Sequence, residues 1–109
     1  MQAIMLGVVI GLMATAASAK DLDSANCIVP GCKATGVSFT AARCAGIIEG
    51  IAFMAENSDV ACLDIPDGVT HGQMNRVVVS YIEARPSRMH EGFKSLALEA
   101  LLNAWPCRR

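Results

Sequence analysis

The chain has no Cys-x-x-Cys pair, only two histidines, and no glycine-rich loop of the kind that cradles phosphate. A structural zinc site needs His and Cys at ligand spacing, and His71 and His90 stand alone, which argues against zinc. A thiol hydrolase needs a cysteine beside a histidine base and an orienting partner, and nothing in the sequence joins Cys27 to either histidine in that way. His71 reads instead as a polar residue in the first turn of a helix, and His90 as a partly buried residue near a helix start. Glu49 and Glu56, seven residues apart and about 10 Å along a helix, are no better as a glycosidase pair than as two solvated charges. Charge of one sign is also missing: nine Lys and Arg against ten Asp and Glu leave a net charge of −1. That balance gives no electrostatic basis for binding nucleic acid or an anionic membrane. There is no internal repeat and no low-complexity tract. The absences predict a protein with no catalytic residue, no metal and no cofactor, one that binds rather than converts.

What is present begins with an uncharged stretch, residues 1–13, followed by Ala17-Ser18-Ala19 and then the charged Lys20 and Asp21. No Lys or Arg precedes the apolar core, but its length and the small-residue triplet read as a secretory leader over residues 1–19. The core is shorter than the roughly 20 apolar residues that span a bilayer, so no membrane anchor is expected once the leader is removed. Residues 20–109 then form a single domain near the size at which a hydrophobic core alone is marginal, and such a domain calls for cross-links.

Ser24 and its acidic neighbours offer caps for a short helix through Cys27 and Ile28, which Pro30-Gly31 is expected to stop, leaving Cys32 just beyond it. Cys44, Ile47, Ile48, Ile51, Ala52 and Ala55 recur at three- and four-residue steps and predict a helix with one buried stripe. Gly46 and Gly50 lie on one side of it, where close approach of another backbone is the expected compensation for about 1 kcal/mol of lost helix propensity each. Asn57 to Asp67, with Asp59, Asp64 and Pro66 between, reads as an acidic loop. Thr70 with Gln73 makes a capping box, with Val69 as the staple residue, for a helix carrying Met74, Val77, Val78, Tyr81 and Ile82. The Val77-Val79 run has β propensity, but the cap and the period favour helix. Pro86 ends this helix near Glu83 or Ala84. Ser87 is expected to cap the last helix, with Met89, Phe93, Leu96, Ala97, Leu101 and Ala104 on its buried face. The predicted fold is an all-α, disulfide-stapled bundle of three main helices plus a short N-terminal one.

Short links between three helices imply an up, down, up arrangement. Cys62 and Cys107 then fall at one end of the bundle and Cys32 and Cys44 at the other, which predicts bridges Cys32–Cys44 and Cys62–Cys107 among the several pairings that five cysteines allow. Cys27 is left as a free thiol. Burial is the favoured reading for it, and a link between two copies is the alternative.

In order along the chain stand Ser24-Ala-Asn26 through Pro30-Gly-Cys32, Cys44-Ala-Gly46 with Gly50, Cys62 followed by a proline, and Gly68-Val-Thr70 with Gln73. After them come Tyr81-Ile through Pro86, His90 and Trp105-Pro106-Cys107. With this set the chain resembles the Rap/Tai immunity protein family, partners of peptidoglycan-cleaving effectors delivered by type VI secretion. It departs from the family pattern at Ile47, where Tyr is frequent, at the stretched interval from Cys62 to Pro66, and at Cys27, commonly an aromatic. The resemblance implies a periplasmic, all-helical protein, often a homodimer, that inhibits a secreted cell-wall hydrolase of the amidase type by occupying its active-site cleft. Such a mechanism needs a rigid scaffold and a protruding element, for which the loop carrying Asn57, Asp59, Asp64 and Asp67 is the candidate. The competing readings are a periplasmic helical chaperone or stress-binding protein, and an orphan domain of the same fold.

Overall fold

A computed structural model describes residues 22–107; the leader and its cleavage triplet lie outside the described residues. Among those residues the architecture is all-helical: α1 (Ala25–Cys32), α2 (Phe39–Glu56), α3 (His71–Glu83), a 3-10 turn (Pro86–Arg88) and α4 (Phe93–Ala104). Each of the first three helices starts at a hydroxyl cap. The Oγ of Ser24 accepts from the Cys27 N–H, that of Ser38 from Ala41, and the Thr70 Oγ1 from Gln73 at 3.1 Å. Such a cap satisfies one of the N–H groups that a helix start leaves without a partner.

The core is where the apolar stripes meet. Ile48 of α2, Val78 and Ile82 of α3, and Phe93, Leu96 and Leu101 of α4 are almost fully buried, with Cys44, Ala97 and Ala100 filling the narrower spaces. α2 is the longest helix and packs against all three others, as each of them does in turn. Cys32 is bonded to Cys44 with Cα atoms 5.2 Å apart, and Cys62 to Cys107 at 5.1 Å. The second bridge joins the segments that follow α2 and α4, so these two helices end at the same pole. Around it the Cys107 N–H donates to the Cys62 carbonyl and the Asp64 N–H to the Trp105 carbonyl. Gly68, at φ 90°, makes the left-handed turn that leads into α3.

The structure corrects the sequence reading in five places. α1 does not stop at Pro30-Gly31 but runs on to Cys32. Pro30 and Asn26, whose carbonyl loses its helical partner, both lie on the exposed side, where water can take the freed oxygen. Gly31 is buried because the start of α2 lies against it; a Cβ there would sit 2.7 Å from the Thr40 carbonyl oxygen. Second, Ser87 does not cap a helix: Pro86–Arg88 is a 3-10 turn, and α4 begins only at Phe93 after Gly92, leaving Met89 outside it and Ala104 exposed. The intervening segment pairs with α1 instead. Ala25 and Asn26 donate to the carbonyls of Glu91 and Met89, and Phe93 donates to that of Asp23. Third, His90 is exposed in that segment rather than partly buried. Fourth, Cys27 is an exposed free thiol and not a buried one. Last, among the described residues no backbone approaches Gly46 or Gly50, and a Cβ added at either meets none of their atoms within 4 Å.

Candidate functional site

The loop that follows α2 starts at Asn57, which caps that helix and donates from Nδ2 to the Phe53 carbonyl at 2.8 Å. Ser58 then holds the turn by accepting from the N–H groups of Val60 and Ala61. Leu63 buries itself in the core, and the disulfide at Cys62 fixes the loop to the end of α4. Asp59 between these anchors, and Asp64 and Asp67 after them, are exposed, and none takes part in an ion pair among the described residues. Asp67 faces Glu49, Glu56, Phe53 and His71 across a cleft of about 350 Å3 between the second half of α2 and the start of α3.

On its other flank α2 borders an apolar groove of about 510 Å3, floored by Gly46 and Gly50 and walled by Ile47, Ile51, Met54 and Leu98. Between groove and cleft stands an exposed ridge. Phe53 is 65% and Met54 68% exposed, and Val60 in the adjoining loop is 96% exposed. Among the described residues no group of three or more His, Cys, Asp or Glu side chains is placed to hold a metal ion. This arrangement offers contact surface and charge.

A family model described as Rap1a immunity proteins matches residues 18–107 of the chain. The chain belongs to the Rap1a immunity protein family. No curated protein and no solved structure matches it.

In this Rap1a family member the charges divide by region. No Lys or Arg occurs between Arg43 and Arg76, a span that holds Glu49, Glu56, Asp59, Asp64 and Asp67, half of the ten acidic residues of the chain. None of the five is in an ion pair among the described residues, whereas Asp23, Glu83, Glu91 and Glu99 all are. The run of acids in the sequence points to the loop aspartates but not to the ridge of Phe53 and Met54 with Glu49 and Glu56, for which the visible signal is two large apolar residues on the face opposite the stripe through Cys44, Ile48 and Ala55. His90 and Cys27, the groups with reactive side chains, are not brought into this region; His71 is, at the rim of the cleft.

Proposed function

We propose that this protein is a periplasmic immunity protein that binds a peptidoglycan-degrading, amidase-type effector of type VI secretion and inhibits it by occupying its active-site cleft. Membership of the immunity family supports the general class. The observation that carries the finer reading is the loop from Asn57 to Asp67: a short, acidic, disulfide-anchored element whose carboxylates are exposed and in no ion pair among the described residues. Peptidoglycan stem peptides carry carboxylates, so a cleft that binds them presents cationic or hydrogen-bonding groups. Asp59, Asp64 and Asp67 are the complement to such groups. Anchoring at Asn57 and again at Cys62, Leu63 and the Asp64 N–H lowers the ordering cost that a free loop incurs on binding. The two disulfides suit an oxidising compartment outside the cytoplasm.

The reading is tested by calorimetric titration of the oxidised, leaderless protein into the purified product of the adjacent reading frame, with a peptidoglycan cleavage assay in parallel. Saturable binding with Kd around 1 nM, about −12 kcal/mol, and loss of cleavage are expected. Full cleavage in the presence of excess protein would end the proposal. Charge reversal at Asp59, Asp64 and Asp67 together is expected to weaken the complex without lowering the melting temperature, and undiminished affinity would remove the loop from the interface.

A further inference from the structure

We infer that the outward face of α2, centred on Phe53 and Met54 and flanked by Glu49 and Glu56, is a second docking surface for the toxin, one that accepts an apolar knob with a cationic rim. The inference rests on the immunity reading, since the toxin is the protein that brings this complementary surface. Single exposed apolar residues are ordinary. Here Phe53 and Met54 stand next to each other on α2, Met54 walling the groove over Gly46 and Gly50 and Phe53 lining the cleft with Glu49 and Glu56, and an apolar patch rimmed by charge is the anatomy of a protein interface. The groove is open because two glycines contribute no side chain to it and no described residue comes within 4 Å of where their Cβ atoms would lie. It can take a side chain from outside.

Charge decides what that occupant is. Phe53 shares its cleft with the carboxylates of Glu49, Glu56 and Asp67 and with no Lys or Arg, whereas the groove beyond Met54 is lined by no carboxylate and by one cation, Lys94. A second copy seated face to face here would set these carboxylates against their own equivalents, and an anionic lipid surface would meet the same repulsion. A cationic protein surface is favoured, and the toxin cleft already invoked to complement the loop has that character. The α2 ridge and the acidic loop adjoin one another, so one toxin can span both.

The test uses the oxidised protein and the purified product of the adjacent reading frame as probe. Phe53→Ser with Met54→Ser is expected to weaken binding by at least about thirtyfold, the scale of losing an aromatic anchor. Glu49→Lys with Glu56→Lys is expected to weaken it about tenfold and to flatten its dependence on salt. Gly50→Leu projects a side chain into the groove from a Cβ position that has no described atom within 4 Å, so it is expected to keep the melting temperature and still weaken the complex. If all three variants bind like the wild type while the loop-reversal variant does not, the α2 face is excluded and the immunity reading stands. If the wild type itself leaves the probe unbound and active, both fall. Self-association of the wild type that Phe53→Ser with Met54→Ser abolishes, with toxin affinity unchanged, would make this face a contact between copies and overturn the inference.

Discussion

Two phenylalanines measure the difference between the sides of this bundle: Phe93 is fully buried at the start of α4, and Phe53 stands 65% exposed on α2. Around Phe93 the polar groups are matched. Arg88 grips Glu99 with two hydrogen bonds of 2.8 Å and Glu91 with bonds of 2.7 and 3.0 Å, Tyr81 donates to Glu99, and the Arg85 guanidinium lies 3.6 Å over the Tyr81 ring. Lys33 pairs with Glu83 and Arg43 with Asp23. Around Phe53 the carboxylates of Glu49, Glu56 and Asp67 are in no ion pair among the described residues, and a groove lies open beyond Met54. The contrast separates what holds the fold from what is left for a partner. A domain of this size obtains rigidity from its bridges, which leaves the outer face of α2 and the exposed aspartates of the following loop unconstrained by the needs of folding.

The largest expected effect sharpens that contrast. Phe93→Ala is expected to cost about 3 to 5 kcal/mol through lost burial and the cavity left behind, whereas Phe53→Ala should change stability by less than about 0.5 kcal/mol. Chemical denaturation of the two variants side by side checks both, and equal losses would dissolve the division. Next is the long bridge. Replacing Cys62 and Cys107 together by Ala opens a loop with a sequence separation of 45, for which the chain-entropy model gives about 4 kcal/mol. Against total stabilities of about 5 to 15 kcal/mol this is a large share, and a fall in melting temperature of more than about 10 °C is expected. An unchanged midpoint would show that the loop owes its position to Leu63 and the hydrogen bonds at Asp64 and Cys107 instead.

The two sides also differ in how glycine is used. At Gly31 a Cβ meets the Thr40 carbonyl oxygen at 2.7 Å and the Thr40 Cβ at 2.9 Å, in the contact where α1 reaches α2. Gly31→Ala is therefore expected to destabilise by about 1 to 3 kcal/mol. At Gly46 the same methyl meets open space, so Gly46→Ala is expected to be stabilising by up to about 1 kcal/mol from helix propensity. Opposite signs in thermal denaturation confirm the contrast, and a loss at Gly46 would mean that its open face is already occupied.

Much of this was legible in the sequence because it is local. The Thr70 cap, the three- and four-residue steps of α2 and α3, and the stop before Pro86 are set by residues close in the chain. The start of α4 was not legible. Ser87 carries a capping hydroxyl, but residues 89–93 are drawn out of the helix by pairing with Asp23, Ala25 and Asn26, more than sixty residues away in the chain. α1 passes Pro30 for the same kind of reason: its end is held by the contact of Gly31 with Thr40 and the bond from Cys32 to Cys44, which local rules for proline do not include. As for the candidate site, the loop aspartates were visible as a run of acids. That Glu49, Phe53 and Glu56 share a cleft with Asp67 depends on how the loop folds back along α2, which no periodicity encodes.

The smallest expected effect concerns acid. Hydrogen bonds from Arg88 and then from Tyr81 hold the Glu99 carboxyl down at about 2, and Arg88 likewise lowers Glu91. A carboxyl whose folded value lies below its unfolded value of 4.5 contributes stability that is complete above 4.5 and is lost as pH falls toward about 2. The side chains remain 34 to 45% exposed, so solvent and salt screen the interaction and the contribution is modest. Denaturation midpoints measured at low salt should fall across that window in the wild type and less steeply in Glu99→Gln, which keeps the shape and removes the charge. The loop-reversal variant at Asp59, Asp64 and Asp67 should keep the wild-type contribution of Glu99, because its changed side chains lie outside the network. An acid limb in Glu99→Gln as steep as in the wild type would show that the matched side of the bundle draws its acid sensitivity from elsewhere.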